Sequence, residues 1–344
     1  MEHTATILAR GCFADLHGKT AHSLIRHGKQ FKILSVIDET LTGQDAGEVL
    51  GLGNRGIPIV SDVDLHADTL IIAATPLGGK LPQKWRTDII KAIKNGMDVI
   101  SGMDEFLNDD PELVALASKH GVKLFDVRAP PQKLYIAQHI SPTVPVILVC
   151  GTDASCGKHT TAFELYNAAL THGIDAGFIA TGQAGLMIGC DAGVAMDHIP
   201  TDFVAGVVEQ MVQDLIQRGK GFIFVESQGA ILHHAYSTSA IGILHGAQPR
   251  FIVLVHPSYR KYRFNFPDIT IPKPEEEISA LEQLSPGSKV IALSLNCYGA
   301  KNYKKICKEY EDRTGLITTD VLLDPSGAEN IFKKILSELL GRKI

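Results

Sequence analysis

A glycine- and lysine-containing turn follows an apolar segment in the middle of the chain. Val146–Cys150 is entirely apolar, and Gly151-Thr-Asp-Ala-Ser-Cys-Gly-Lys-His-Thr-Thr161 comes directly after it. A buried strand that passes through such a turn into a helix is the arrangement of a phosphate-binding loop. Glycines let backbone N–H groups surround a phosphate, and the start of the helix favours the anion. The predicted phosphate-binding residues are Gly151, Thr152, Asp153, Gly157, Lys158, His159, Thr160 and Thr161.

The lysine and the hydroxyl groups after it define the chemistry of this loop. In phosphate-binding loops the lysine contacts the outer phosphates, and the next hydroxyl binds Mg²⁺. Here five residues rather than the usual four separate Gly151 from Gly157, and His159 stands where Ser or Thr is usual. Thr160 is therefore the candidate magnesium ligand. The alternative is a glycine–lysine turn that only opens a helix.

Candidate acid–base groups lie at the end of a second apolar segment, Gly221–Glu226. Glu226 ends this segment, and the loop after it holds His233 together with Gln228 and Gly229, which are predicted to bind the substrate. Histidine titrates near neutral pH, so His233 can take a proton from an attacking amine, and Glu226 is the rival base. The alternatives are a carboxylate that only terminates a strand, and a histidine without a catalytic role among the 14 in the chain.

Two further segments carry candidate ligand groups. Thr181–Gly185 follows an apolar segment and is predicted to be a ligand-binding loop, in which the amide of Gln183 donates and Gly185 permits close approach. The alternative for this segment is a turn that only connects a strand to a loop and binds no ligand. Asp197 and Asp202 lie near the start of a predicted helix. We take Asp197 as a catalytic candidate. For Asp202 we favour a place in the first helical turn, where an acid suits the helix dipole, over substrate binding.

Apolar segments alternate with amphipathic ones, as they do in α/β proteins with parallel sheets. In the first part of the chain, strands are predicted at Thr4–Ala9, Phe31–Ile37, Ile57–Val60, Thr69–Ala74, Asp98–Ser101 and Lys123–Val127, with helices at Thr20–His27, Gln83–Lys94 and Asp110–His120. Right-handed crossovers then give a doubly wound, Rossmann-like domain. No Gly-x-Gly-x-x-Gly motif follows its first strand, where dinucleotide-binding folds carry it, so we favour a structural or dimerising role over NAD binding.

Prolines 130, 131, 142 and 145 interrupt this pattern, and the alternation resumes at Val146. Each proline removes a backbone donor and disfavours a helix at the residue before it. We therefore predict a Rossmann-like domain of residues 1–140 and a P-loop NTPase-like domain of residues 141–344. The fold class is α/β, with two doubly wound parallel-sheet domains.

Composition and charge narrow the classes of function. The chain has 344 residues, of which 45% are hydrophobic, and a formal net charge of −5. This composition excludes intrinsic disorder, and a mildly acidic chain has no electrostatic attraction to nucleic acid. The first residues lack the features of a signal peptide, no apolar run reaches about 18 residues, and the six cysteines form no CxxC pair. We expect a cytoplasmic homo-oligomer with a small-molecule substrate and neither membrane nor nucleic acid as a partner.

The glycine–lysine loop resembles that of dethiobiotin synthetase and its relatives, which read Gly-Thr-Asp-x-x-x-Gly-Lys-Thr. Gly221–Glu226 is similar to the acidic strand of that superfamily, whose carboxylate lies near the metal and the nucleotide. Val290–Asn296 is similar to the strand that ends in its adenine-reading asparagine. The resemblance implies an ATP-dependent ligase or kinase, in which Lys158 and Mg²⁺ act on the γ-phosphate and Asn296 binds the base. Alternatively, Asn296 only begins a loop.

Nearly the whole chain resembles a second family, the D-glutamate N-acetyltransferase-like proteins, long described only as a domain of unknown function. The shared blocks are Gly151-Thr-Asp with Gly157-Lys-x-Thr-Thr161, Ala176–Gly185, Asp197–Glu209, Val225–His233, and Thr314–Leu316 with Asp320 and Asp324-Pro325. The chain departs from the family at His159, Ser227 and His234. The resemblance implies a Rossmann-like domain joined to a C-terminal P-loop domain.

This second resemblance also implies an activity: transfer of an acetyl group from acetyl-CoA to the amine of a D-amino acid such as D-glutamate. The P-loop then holds the phosphates of the donor, and His233 or Glu226 is the base. An ATP-dependent ligase or kinase and a non-catalytic nucleotide-binding protein are the alternatives, so the P-loop ligand is acetyl-CoA or ATP. Because strand carboxyl ends share one edge of a parallel sheet, Lys158, Gln183, Glu226 and His233 are predicted to line one pocket that faces the first domain.

Overall fold

The structure is a computed structural model that describes residues 3–74 and 81–341. It contains two compact units. The first is built from the chain up to Pro130 together with Gly182–Gly189, and the second from Pro131–Thr181 and from Cys190 onward. The division falls in the proline-containing connector, earlier than the boundary predicted at residue 140.

The first unit is a six-stranded parallel sheet with the order β3-β2-β1-β4-β5-β6. Its strands are β1 (Thr4–Leu8), β2 (Lys32–Ile37), β3 (Ile59–Val60), β4 (Thr69–Ile72), β5 (Asp98–Ser101) and β6 (Leu124–Asp126). Its helices include α1 (Lys19–His27), α2 (Ala46–Val49), α3 (Gln83–Lys94) and α4 (Pro111–His120). This strand order is that of doubly wound dinucleotide-binding folds, so the prediction of a Rossmann-like domain is confirmed.

Local sequence signals explain where these elements begin and end. The Asp110 side chain accepts hydrogen bonds from the backbone N–H groups of Glu112 and Leu113, and Pro111 occupies the first turn of α4. The helix ends at Gly121, whose φ of 69° lies in the left-handed region. An acidic cap, an early proline and a terminal glycine are the usual helix boundaries, and they account for the accurate prediction of α4.

The second unit is a seven-stranded parallel sheet with the order β15-β14-β11-β7-β10-β8-β9, together with the antiparallel hairpin β12–β13. The strands are β7 (Val146–Gly151), β8 (Ala176–Ala180), β9 (Ala192–Gly193), β10 (Phe222–Glu226), β11 (Phe251–Pro257), β12 (Tyr262–Arg263), β13 (Phe266–Thr270), β14 (Lys289–Asn296) and β15 (Ile317–Thr319). Strand β7 lies between β10 and β11. Because the sheet is parallel, the loops after these three strands leave from one edge.

Helices α5 to α11 complete the chain. They are α5 (Lys158–Thr171), α6 (Gln183–Ile188), α7 (Thr201–Gln217), α8 (Ser237–Ala247), α9 (Pro274–Leu284), α10 (Tyr303–Thr314) and α11 (Gly327–Leu340). Helices α7 and α8 pack closely because α8 carries glycines: a Cβ on Gly246 would lie 2.2 Å from the carbonyl oxygen of Ala205. None of the helices in the described ranges combines the length and apolar character needed to cross a lipid bilayer.

One predicted loop is wrong. Thr181–Gly185 was expected to remain a loop, but helix α6 begins at Gln183. The segment Gly182–Gly189 belongs to the first unit, where α6 packs against α1. Two glycines in five residues favour a turn locally, and packing against another helix overrides this preference. The hairpin β12–β13 and the two-residue strand β9 are elements that the pattern of apolar residues did not predict.

Candidate functional site

The turn between β7 and α5 has the backbone of a phosphate-binding loop. Gly151 ends the strand, and a Cβ there would lie 2.5 Å from the Cys156 sulfur, so the tight turn requires glycine. Gly157 has a φ of 113° and caps the helix that begins at Lys158. The loop's N–H groups and the helix start therefore lie at the carboxyl edge of the sheet, where anions bind.

Lys158 is buried and bridges two loops. Its Nζ donates to the carbonyl oxygens of Asp153 and Gly229, each at 2.8 Å. Asp153 lies in the loop after β7, and Gly229 lies in the loop after the neighbouring strand β10. Only 7% of Lys158 is exposed, and these carbonyls hold its ammonium group at the loop, where no ion pair with another described residue involves it.

Asp153 is the fully buried carboxylate of this site. Its Oδ2 accepts hydrogen bonds from Arg260 and from the backbone N–H of Phe264, both at 2.8 Å. Its Oδ1 lies 3.5 Å from Arg263 Nη1 and 3.2 Å from His233 Nε2, the second contact being poorly aligned for a hydrogen bond. An unpaired carboxylate would be costly to bury, so these neighbours stabilise its charge.

The two arginines also bind the backbone around the loop. Arg260 donates to the carbonyl oxygen of Ala154 at 2.7 Å, and Arg263 donates to those of Leu232 at 2.8 Å and Thr152 at 3.3 Å. The Nε and Nη1 atoms of Arg260 are buried and have no hydrogen-bond partner among the described residues. Donors without acceptors in a cationic environment suit an anionic ligand. Sequence reasoning missed both arginines, although the basic segment 260–263 begins three residues after the end of β11.

His233 lies at this cluster but has no free lone pair for proton transfer. Its Nδ1 accepts hydrogen bonds from the backbone N–H groups of Ala235 and Tyr236, both at 3.1 Å. Burial lowers the pKa of His233 to about 4, so the ring is neutral and its proton lies on Nε2, toward Asp153. The predicted role of His233 as a base has no support in this arrangement, which gives it a positioning role.

Glu226 pairs with His159, the residue that replaces the usual Ser or Thr of the loop. The Glu226 Oε2 and His159 Nδ1 atoms are 3.1 Å apart, and His159 Nε2 is buried without a hydrogen-bond partner in the described part of the chain. Glu226 is also fixed through its backbone, because its carbonyl oxygen accepts from the Thr181 hydroxyl at 2.9 Å. A carboxylate and an imidazole therefore form a pair at the start of α5, one residue after Lys158 in the chain.

Other side chains of the loop already have partners inside the second unit. The Thr152 hydroxyl lies 2.9 Å from His256 Nδ1, and the Thr161 hydroxyl lies 3.0 Å from that of Ser294. Thr160 is partly buried between these positions. The hydroxyl groups of Thr152 and Thr161 thus fix the loop to the strands beside it.

Asn296, at the end of β14, holds the far side of the loop. Its Nδ2 donates to the carbonyl oxygen of Cys156 at 3.2 Å, and its Oδ1 accepts from the backbone N–H of Tyr298 at 3.2 Å. Gln228 donates through its side-chain amide to the carbonyl oxygen of Thr181. In both of these predicted ligand residues, part of the hydrogen-bonding capacity of the side-chain amide is therefore used within the protein.

The remaining candidates belong to other elements of the fold. Gln183 and Gly185 belong to α6 in the first unit, where a Cβ on Gly102 would lie 1.8 Å from Gln183 Oε1. Asp197 is exposed, with its Oδ1 3.2 Å from His198 Nδ1. Asp202 lies in the first turn of α7, as the helix-dipole interpretation predicts. The second unit thus brings together Lys158, His159, Glu226, Gly229 and His233.

Family models and relatives match most of this chain. Residues 134–332 match a P-loop domain described as a domain of unknown function, DUF1611_C, and residues 39–130 match the Rossmann-like domain DUF1611_N. The chain belongs to the DUF1611 family. A crystal structure of a DUF1611 family protein from Anabaena variabilis superposes with a TM-score of 0.90 at 30% identity, and the match covers 98% of this chain and 100% of that one.

Two relatives of this DUF1611 protein have names that state an activity. A D-glutamate N-acetyltransferase from Tritonibacter scottomollicae is 33% identical over 260 residues, which are 74% of this chain and 77% of the relative. A D-glutamate N-acetyltransferase from a Pseudoalteromonas species is 31% identical over 287 residues, which are 81% and 85% of the two chains. These matches confirm the family resemblance found in the sequence and support an enzyme of the transferase class.

Glu277, on α9, is a buried carboxyl group that the sequence did not single out. It is fully buried and accepts hydrogen bonds from the backbone N–H groups of Ile231 at 2.5 Å and Leu232 at 3.3 Å. Burial raises its pKa to about 7, although these hydrogen bonds and the cations nearby oppose the shift. Glu277 therefore holds the loop after β10 and resists ionisation near neutral pH.

The stability of this DUF1611 protein should depend on pH through Glu277. Because the pKa of this carboxyl group is higher in the folded chain than in the unfolded one, its contribution to stability is lost as pH rises from about 4.5 through about 7. Glu277→Gln keeps an acceptor for the two N–H groups without the charge. The melting temperature of this variant minus that of the wild type should be about 5 °C larger at pH 8 than at pH 5.

Calorimetric melting of both proteins across this range measures the effect. The control is Glu309→Gln, which removes an exposed carboxylate, so its difference from the wild type should stay nearly constant. A Glu277→Gln difference that is also independent of pH would show that this carboxyl group does not titrate as described.

Replacing Lys158 tests the loop. Lys158→Ala removes the cation at the loop and should weaken the binding of CoA or ATP, whichever the wild type binds, by about tenfold or more, because a charge-assisted hydrogen bond contributes about 1.5–3 kcal/mol. Isothermal titration calorimetry measures the affinity, with the exposed Lys305→Ala as control. Unchanged affinity in a folded Lys158→Ala protein would contradict phosphate binding at this loop.

Proposed function

We propose that this protein transfers an acetyl group from acetyl-CoA to the amine of a D-amino acid such as D-glutamate. The observation that carries this proposal is the 31–33% identity to two proteins named D-glutamate N-acetyltransferase over 74–81% of the chain. The geometry of the second unit supports it, since acetyl-CoA carries phosphates and this unit places a lysine and a phosphate-type loop at one edge of the sheet.

In this proposal the loop binds the donor through its phosphates. Lys158 exchanges the carbonyl oxygens of Asp153 and Gly229 for phosphate oxygens, which are stronger acceptors because they are charged. Arg260 offers two further buried nitrogen donors beside the same loop. Binding by this route needs no hydrolysis of the donor's phosphates.

The chemical step requires removal of a proton from the amine. The amine nitrogen attacks the thioester carbonyl carbon, a C–N bond forms, and the C–S bond breaks to release CoA as a thiolate, which then takes up a proton. We assign the proton from the amine to the Glu226 carboxylate, which is oriented by His159 at 3.1 Å. A backbone N–H group is suited to the negative oxygen of the tetrahedral intermediate.

An ATP-dependent ligase or kinase is the second candidate, because the loop resembles that of dethiobiotin synthetase. Such an enzyme binds Mg²⁺ through the hydroxyl after the lysine. In this chain His159 holds that position and pairs with Glu226, while the Thr161 hydroxyl bonds to Ser294. These side chains do not fit the usual magnesium site. Thr160 stays the predicted ligand of this alternative.

The two candidates differ in their need for metal and ATP. With acetyl-CoA and D-glutamate, the purified protein should form N-acetyl-D-glutamate and free CoA at an undiminished rate in EDTA and without ATP. Mass spectrometry of the product and a thiol assay for CoA measure this reaction. ADP formation that requires both magnesium and an acceptor, without consumption of acetyl-CoA, would instead establish the ligase or kinase.

A further inference from the structure

Two tyrosines lie together at the carboxyl edge of the second unit. Tyr259 follows β11 and Tyr298 follows β14, and these strands are neighbours in the sheet. The centroids of the two rings are 5.8 Å apart, with an angle of 62° between the ring planes. Tyr298 is 77% exposed and Tyr259 is 40% exposed. Two large aromatic rings are thus presented to solvent beside the loop of the proposed function.

Hydrogen bonds fix this tyrosine pair relative to the phosphate-type loop. The backbone N–H of Ser258 donates to the carbonyl oxygen of Asn296 at 3.1 Å, and the N–H of Tyr298 donates to Asn296 Oδ1 at 3.2 Å. The side-chain amide of Asn296 in turn donates to the carbonyl oxygen of Cys156, within the loop. Asn296 therefore connects both tyrosine-bearing segments to the loop.

Arg260 connects the pair to the loop a second time. It is adjacent to Tyr259 in sequence and donates to the carbonyl oxygen of Ala154, while its buried Nε and Nη1 have no hydrogen-bond partner among the described residues. Strands in a sheet are about 4.8 Å apart, so β7, β11 and β14 place the loop and the tyrosines within about 10 Å along the edge. A mononucleotide has comparable dimensions between its base and its outer phosphate.

We propose that Tyr259 and Tyr298 form the platform on which the adenine ring of the donor stacks. The inference rests on the proposed function and adds a subsite for the base. Every base has a π-face, and stacking on an aromatic side chain contributes about 1–3 kcal/mol per base. Because part of the Asn296 amide is engaged within the protein, stacking supplies most of the recognition. The same platform serves CoA and ATP, which share adenine.

Binding measurements on the full chain test the platform. Tyr298→Leu and Tyr259→Leu should each weaken CoA binding about tenfold in titration calorimetry, whereas Tyr298→Phe, which keeps the ring, should bind like the wild type. The matched control is Tyr135→Leu, since Tyr135 is 39% exposed and lies in the connector before β7. The KM for acetyl-CoA should rise in the leucine variants with little change in kcat.

Fluorescence gives a readout that is independent of activity. The chain has one tryptophan, the buried Trp85, so Tyr298→Trp adds a single exposed indole. Stacking of adenine should quench this new emission on addition of CoA or ATP, whichever binds. Equal affinities in the leucine variants and the wild type, or CoA bound without quenching, would overturn the platform.

The outcomes separate this inference from the proposed function. If acetyl-CoA is turned over while the tyrosine variants behave as the wild type, only the platform is wrong. If ATP binds in a tyrosine-dependent way and CoA does not bind, the platform stands and the proposed acetyl transfer is wrong. If neither nucleotide binds, both are overturned.

Discussion

The arrangement of the second unit depends on one buried charge. Asp153 lies within the turn after β7 and is fully buried, so its carboxylate requires partners that compensate for lost hydration. Arg260, Arg263 and the backbone of Phe264 come from the segment around the hairpin, and His233 comes from the loop after β10. A single acidic side chain thus draws two distant segments against the loop. It also holds two arginine side chains at the loop, where they are suited to bind an anionic ligand.

The same constraint explains the state of the lysine. Asp153 is bound by arginines, and Lys158 donates to two backbone carbonyl oxygens; within residues 3–74 and 81–341 no carboxylate forms an ion pair with this lysine. A cation held in this way gains from an anion that displaces the carbonyls, because charged acceptors make stronger hydrogen bonds. Glu226 and His159, the residue after this lysine, form a separate pair. Anion binding and proton transfer are therefore assigned to neighbouring groups with different partners.

The sequence predicted those parts of the fold that local signals determine. The alternation of apolar and amphipathic segments predicted both parallel sheets, because it reflects the burial of strands. The glycines and Lys158 predicted the loop, because they reflect the geometry of its turn. The role of His233 was not predictable, since its two backbone donors depend on how a loop folds. The same holds for Glu277, whose partners lie more than 40 residues away. Helix α6 was missed because its stability comes from packing against α1 rather than from propensity.

In the proposed function, the loop between Gly151 and Lys158 holds the phosphates of an acyl donor. A crystal structure of the protein with CoA tests this role. We expect a CoA phosphate within about 3 Å of Lys158 Nζ and of loop N–H groups, with the lysine moved from the Gly229 carbonyl oxygen. CoA bound with its phosphates away from this loop, and Lys158 still on both carbonyl oxygens, would contradict it.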